Sequence, residues 1–448
     1  MTVSRDLENL CEDTNTTFVL ALFVDLLGKP CAKLVPASAV RRLTTEGAGF
    51  AGYAVGAMGQ TPKDPDLIAI PDPASFTPIP FAKPGLALVH CDLYVAGKPW
   101  PFAPRNILRV VLDQAAEAGF EASVGAEVEY FLLTRNPDGS LAPADRADTA
   151  SRPCYDARGV TRMYDHLTAI STAMNTLGWS NYANDHEDGN GQFEQNFEHA
   201  DAITTADRVI TLRYLLSVIA AERGMIATFM PKPFTDRTGS GLHLHLSLTR
   251  GGAPVFPAVD NDDRGLGLSP TAYSFIAGIL DHACALQAII APTVNSYKRT
   301  GAHTTASGAT WAPRTPTYGG NDRTHYIRVP DEQRIELRGA DGSANPYLAI
   351  AAALGAGLDG IKHSSDPGEI AALSPDRPTF PVTLLHAVEH FQSDPVVTSV
   401  LDAASLETQD PATTSRVSAY YAHLKREEFF AWHSTVSPWE VDSYLTAF

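Results

Sequence analysis

The chain has 448 residues, 44% apolar and 19% charged, which suits a globular protein of two or three domains with a sizeable core. Acids outnumber bases by 51 to 34, a formal charge of −17. That argues against nucleic acid or a membrane surface as the main partner, but leaves room for an anionic small molecule gripped by a local arginine cluster. No run of 18 apolar residues and no apolar leader is present, so neither a transmembrane helix nor a signal peptide is expected. The cysteines Cys11, Cys31, Cys91, Cys154 and Cys284 are scattered and never form a CxxC pair, as in the reduced thiols of a cytoplasmic protein.

Residues 18–24 are an apolar run of strand length, 25–29 a turn around Gly28, 32–35 a return strand, and 86–94 a further strand. Between them, 47–60 is rich in Gly and Ala and 61–85 in proline, which favours loops and edge strands. Residues 1–103 thus read as a small, mostly β domain, and 104–448 as a larger one. There the spacing of Ile107, Val110, Val111 and Ala115 predicts a helix over 105–119, followed by a strand over 123–133. A polar loop over 135–153, a helix over 160–177 and a turn-rich loop over 185–194 follow. A helix over 205–223, capped by Thr204 or Thr205, leads to a buried strand over 225–230. Long apolar helices are expected over 270–290 and 346–361, with a mainly helical tail after 380. Strands interleaved with helices give an α/β or α+β catalytic-type domain.

The stretch 239–248 reads as a strand of period two. Leu242, Leu244, Leu246 and Leu248 face a core; Gly241, His243, His245 and Ser247 face the other way. Glu127 and Glu129 share one side of the 123–133 strand, where burial makes bare carboxylates expensive. The glycines of Asp185-His-Glu-Asp-Gly-Asn-Gly-Gln-Phe-Glu194 let Glu187 and Glu194 converge. In Arg334-Ile-Glu-Leu-Arg338, Arg334, Glu336 and Arg338 share a face, and Arg299, Arg323 and Arg328 lie nearby in sequence. Carboxylates with imidazoles suit a hard divalent cation such as Mg²⁺ or Mn²⁺, and arginines suit phosphate and carboxylate. Together they indicate nucleotide-driven phosphoryl transfer. Neither a G-x-x-x-x-G-K-[ST] loop nor a G-x-G-x-x-G fingerprint is present.

Eight segments in order resemble glutamine synthetase, and the resemblance covers nearly the whole chain. They are Gly125-Ala-Glu-Val-Glu129, His186-Glu187 to Gly191-Gln-Phe-Glu194, Phe229-Met-Pro-Lys-Pro233, Gly239-Ser-Gly-Leu-His-Leu-His-Leu-Ser247, Asn295-Ser-Tyr-Lys-Arg299, Asn321-Asp-Arg323, Arg334-Ile-Glu-Leu-Arg338 and Asn345-Pro-Tyr347. The resemblance implies an α+β fold: a β-grasp N-terminal domain over 1–103 and a catalytic domain with a curved antiparallel sheet and helices over 104–448. It further implies a homo-oligomer, a dodecamer of two stacked hexameric rings with active sites between subunits. By the same resemblance Glu129, Glu187 and Glu194 match one metal site, and Glu127, His243 and Glu336 a second. His245, Ser247, Arg328 and Arg334 match nucleotide contacts. Gly239, Arg299 and Arg338 match glutamate contacts, with His243 bordering that site, and Arg323 a phosphate-side arginine. The implied chemistry is phosphorylation of the γ-carboxylate of L-glutamate by ATP, then displacement of phosphate by a nitrogen nucleophile.

Two departures bear on the amine. The ammonia-using enzymes carry an aspartate after a Phe in an N-terminal-domain loop; here the stretch is Gly49-Phe-Ala-Gly-Tyr-Ala54, without an acid. They also carry a glutamate on a flap after the Lys-Arg motif; here 300–313 holds neither Asp nor Glu. A site without those acids loses a binder of ammonium, while a methylated amine gains on the order of 1 kcal/mol by burying its methyl group. Phe50, Ala51 and Trp311 are candidate walls, and His303 the candidate base. The runs 307–313 and 47–52 resemble the γ-glutamylmethylamide synthetase (glutamate–methylamine ligase) branch, also called type III glutamate–ammonia ligase. The rival expectations are a glutamine synthetase using ammonia, a ligase for ethylamine, ethanolamine or a polyamine, and a non-catalytic relative.

Overall fold

The computed structural model describes residues 6–300, 311–372, 377, 379–408 and 416–448. Two sheets organise it. The first runs Pro30–Pro36, Phe18–Val24, Leu86–Val95, Leu67–Pro71, Ala48–Phe50, with the short strands Thr77–Pro78 and Lys98–Pro99 on Leu86–Val95. Phe18–Val24 is antiparallel to Pro30–Pro36 and parallel to Leu86–Val95. Its turn is held by Asp25, whose carboxylate accepts the N–H groups of Leu27 (3.0 Å) and Lys29 (2.9 Å). The strands of this sheet all precede Ala103, the residue capping the helix Pro104–Glu117.

The second sheet is built on Glu121–Arg135, which pairs with Gln192–Phe197 on one side and Leu242–Arg250 on the other. Asn181–His186 lies beyond the first neighbour; Arg334–Leu337, Ile327–Asp331 and Tyr318–Gly319 follow the second. The leucine face of Leu242–Arg250 is buried, and the opposite face presents His243 and His245. Register sets His243 across from Glu127, His245 across from Gly125, and Ser247 across from Ser123. Behind the leucines, Pro346–His363 is buried along most of its length against Pro270–Asp281 and Pro104–Glu117. The architecture is α+β.

Several elements differ from the sequence expectation. The expected loop over 185–194 is a pair of strands, Asn181–His186 and Gln192–Phe197, joined by a turn over 187–191. Gln192–Phe197 is buried throughout although mostly polar, because its amides and carboxylate find partners inside the site. The expected buried strand over 225–230 shrinks to Ile226–Thr228, a sheet-edge piece with Ile226 exposed. The helix over 205–223 starts earlier, at Ala202, because Asp201 caps it through Thr204 N–H (2.9 Å), while the Thr205 hydroxyl donates to the Val124 carbonyl (2.6 Å). The helix over 160–177 is divided at Met163, and a short strand Leu141–Pro143 interrupts the expected loop over 135–153. The long helix over 270–290 breaks into Pro270–Asp281 and Ala283–Ile290, bent by 72°. His282 at the bend bonds Asp394 (2.7 Å) and Asp359 (3.4 Å). Among the described residues no single helix is long and apolar enough to cross a membrane. The five cysteines are free thiols.

Candidate active site

The polar face of Leu242–Arg250 and the facing part of Glu121–Arg135 build a cluster of carboxylates and imidazoles. His243 Nδ1 lies 2.9 Å from Glu127 and 3.5 Å from Glu336; its Nε2 lies 3.5 Å from Glu129. His245 Nε2 meets the other oxygen of Glu127 at 2.9 Å. Glu129 is fixed by Gly241 N–H (2.7 Å) and Gln192 Nε2 (3.0 Å). Asn196 holds Glu194 (2.7 Å), bringing it from the neighbouring strand. The glycines of the motif answer to space: a Cβ on Gly241 would press on His243 and Glu129, and one on Gly239 would overlap the Pro231 carbonyl.

These groups border a cavity of about 590 Å³. Its far side is cationic, with Arg299, Arg323, Arg328 and Arg338. Glu336, fully buried, ties Arg328 (2.6 Å) and Arg338 to the carboxylate cluster. Arg299 is buried with Arg338 nearby, and burial holds its guanidinium below its usual value despite Glu129 and Asp341. Two buried cations on one wall suit an anionic ligand. Gly239 and His243 also reach the cavity, and Trp311 closes one rim with its indole N–H on Asp188 (2.6 Å).

The carboxylates divide into two kinds, Glu187 and Glu194 raised by burial and like charge, Glu127 and Glu336, despite burial, held low by facing imidazoles and arginines. Burial raises Glu187 to about 8, with Glu129 and Asp188 adding repulsion. Burial and the charges of Glu127, Glu187 and Glu129 push Glu194 well above the usual range. Burial also acts upward on Glu127, but hydrogen bonds from His243 and His245 overcome it and hold that group well below its usual value. Closely grouped ligand atoms come from Glu127, Glu194 and His243, and from Glu127, His245 and Glu336. Oxygen-rich donors strained by like charge fit a divalent cation.

The structure therefore brings Glu127, Glu129, Glu187, Glu194, His243, Arg299, Arg323, Arg328, Arg338, Gly239 and Trp311 to one cavity. Glu336 and His245 stand directly behind its wall. His245 engages Glu127 through its Nε2, so it belongs to the carboxylate cluster as well as to the strip leading to Ser247. Arg334, exposed at the first position of Arg334–Leu337, pairs with Asp331 (3.0 Å) and is not among the residues that line the cavity. Phe50 packs in the first sheet against Phe23 and does not line the cavity of its own chain. His303 lies outside the described residues. Asp188, Asp185, Cys154 and Tyr155 are wall residues that sequence reasoning misses. Asp188 stands within a motif already in view, beside Glu187. Cys154 and Tyr155 come from a distant loop and carry no periodic signal.

A family model for the catalytic domain of glutamine synthetase matches residues 101–444. The chain belongs to the glutamine synthetase family. It is similar to a glutamine synthetase of Rhizobium leguminosarum bv. phaseoli, 40% identical over 451 residues, covering 99% of this chain and 100% of the relative. It is about equally similar to a glutamate–methylamine ligase of Methyloversatilis universalis, 39% identical over 453 residues, covering 98% and 99%. A solved structure named "GmaS/ADP complex-Conformation 1" matches with a TM-score of 0.89 at 43% identity, covering 98% of this chain and 99% of that one. As a glutamine synthetase family member the protein is an ATP-dependent ligase, of a family that works with a divalent metal.

Proposed function

We propose that the protein joins L-glutamate to methylamine, forming γ-glutamylmethylamide at the expense of ATP through γ-glutamyl phosphate, in the cytoplasm. The observation that carries this reading is the pair of acid-free segments 49–54 and 300–313, taken with Trp311 on the cavity rim. The acids expected of an ammonia enzyme are missing from 49–54 and 300–313, and the rim instead offers the Trp311 indole anchored to Asp188. An alkylammonium needs both a carboxylate for its charge and an apolar surface for its methyl group. Similarity to the glutamate–methylamine ligase supports the reading; equal similarity to a glutamine synthetase keeps ammonia as the competing substrate.

In this reading Arg299 and Arg338, beside Gly239, hold the glutamate. Arg323 and Arg328 face the transferred phosphate, and His245, Ser247 and Arg334 serve the nucleotide. Glu129, Glu187 and Glu194 would hold one Mg²⁺ or Mn²⁺, and Glu127, His243 and Glu336 a second. Bound there, such ions supply neutralisation of phosphate charge. A γ-carboxylate oxygen attacks the γ-phosphorus and ADP leaves; the amine lone pair then attacks the carbonyl carbon and phosphate leaves as the C–N bond forms. The ammonium proton must be lost first, for which His303 is the candidate base and Asp188 the carboxylate that holds the cation. Assembly into stacked hexameric rings would bring Phe50 of a neighbouring subunit to this rim and complete the pocket.

ADP-release kinetics with ammonium, methylamine and ethylamine test the proposal. The expected order of kcat/KM is methylamine first; a clear preference for ammonium overturns it.

A further inference from the structure

The turn over 187–191 places Glu187 and Asp188 on the cavity wall, yet its own sequence gives it little stiffness. Two of its five residues are glycines, and Gly191 sits at φ 82°. Bonds with Gln192 close the turn (Glu187 N–H to the Gln192 carbonyl, 2.9 Å; Gly189 N–H to Gln192 Oε1, 3.0 Å), and a distant loop then ties down its two ends. Asp148, 5% exposed, accepts from His186 Nε2 (2.8 Å) just before the turn. Its carboxylate also accepts from Asn190 Nδ2 (3.0 Å) and Gly191 N–H (2.6 Å) at the end of the turn. One buried carboxylate thus clamps both ends of the segment. The packing around it leaves no slack: His186 fills the space that a Cβ on Gly159 would need. The other ring nitrogen of His186 meets the Glu187 carbonyl (2.8 Å), and Tyr155 N–H meets the His186 carbonyl (2.9 Å). The clamp therefore couples the Cys154–Tyr155 wall to the Glu187–Asp188 wall.

We propose that Asp148 is a positioning residue: by clamping the 187–191 turn it sets where Glu187 and Asp188 stand, and so tunes affinity for the divalent cation and the amine but not for ATP. Asp148 is not among the residues that line the cavity. The nucleotide candidates His245, Ser247 and Arg328 stand on other strands, which Asp148 does not touch. The split between substrates rests on the role proposed above for Glu187 and Asp188.

The test uses the full-length protein, stripped of metal, as wild type, Asp148→Ala and Asp148→Asn. Mn²⁺ binding is titrated by electron paramagnetic resonance, and KM is measured for ATP, glutamate and methylamine. Asp148→Ala is expected to weaken one class of Mn²⁺ site and to raise the methylamine KM, each by roughly tenfold, with the ATP KM within about threefold of wild type. Asp148→Asn, which keeps one acceptor, is expected to fall between. If Asp148→Ala does not fold, by circular dichroism and gel filtration, Asp148→Asn decides, with a shift of at least about threefold expected in both quantities. Folded variants with Mn²⁺ affinity within about twofold of wild type, or with ATP KM raised as much as methylamine KM, overturn the proposal. Failure of the methylamine assignment is read separately, from the amine preference of the wild type, and leaves the Mn²⁺ titration to decide the role of Asp148 by itself.

Discussion

Replacing Glu187 by Gln should stabilise the metal-free protein while crippling the enzyme. Burial and the facing charges of Glu129 and Asp188 raise this carboxyl from the usual 4.5 to about 8. The sign follows from linkage. The folded chain holds a proton there that the unfolded chain has released, so stability falls as pH rises from about 4.5 to about 8. At about 1.4 kcal/mol per pH unit, less a discount for side-chain relaxation and screening, the ionised group costs on the order of 3 kcal/mol at pH 8. A glutamine keeps the shape and can still accept the Asp188 N–H (3.3 Å), but carries no charge to desolvate. Scanning fluorimetry in EDTA should therefore show the variant melting several degrees above wild type at pH 8, the gap closing by about pH 5. The ligand role proposed for Glu187 predicts that Mn²⁺ reverses the order, by stabilising wild type more than the variant. Its kcat/KM with Mg²⁺ should fall by at least about a hundredfold. A variant no more stable than wild type in EDTA at pH 8 would show that Glu187 is not a charge-strained group, and one that Mn²⁺ stabilises equally would show that it is not a metal ligand.

Three further outcomes are expected. Trp311→Ala removes the indole and its bond to Asp188, so the methylamine KM should rise by about fivefold to tenfold while the ammonium KM moves less; amine saturation curves check this, and equal shifts count against an apolar methyl pocket. Arg105, buried, bridges Asp72 (2.8 Å), Asp92 (2.6 Å) and Asp207 (2.9 Å) between the first sheet and the helix Ala202–Glu222. Arg105→Met leaves buried Asp207 without its arginine, although Arg109 still holds Asp72 (2.7 Å) and Asp92 (3.1 Å), and should cost roughly 3 kcal/mol, visible in urea unfolding. His282 is driven down by burial but raised overall by Asp394 and Asp359, the latter also bonded by His363 (3.3 Å). Its contribution should be full below about pH 6.5 and fade as pH rises through the raised value, so the melting gap between wild type and His282→Gln should shrink in alkali; a gap constant from pH 5.5 to 9 would argue against an ion pair.

The histidine strand is legible in the sequence because four leucines at period two leave no other face for His243 and His245. The carboxylate cluster is legible for a related reason: Glu127 and Glu129 interrupt an otherwise apolar strand at the same parity. The Gln192–Phe197 strand hides behind its own chemistry, since a buried strand carrying Gln192, Glu194, Gln195 and Asn196 looks like a surface loop until its partners across the sheet are known. The bend at His282 is equally silent, because apolar residues continue on both sides and the partners His282 meets there, Asp394 and Asp359, lie far along the chain. Asp148 gives no local sign either; its partners lie about 40 residues away, and only the fold makes it a clamp. Arg334 shows the converse, for parity puts it with Glu336, yet as the first residue of its strand it pairs with Asp331.

Which amine takes the glutamyl group is answered most plainly by direct competition. The enzyme, with ATP, Mg²⁺ and glutamate, is given equal concentrations of methylammonium and ¹⁵N-ammonium, and the products are counted by mass spectrometry at early turnover. γ-Glutamylmethylamide should exceed glutamine by about tenfold or more. Glutamine as the dominant product would contradict the methylamine assignment and return the chain to the ammonia-using members of its family.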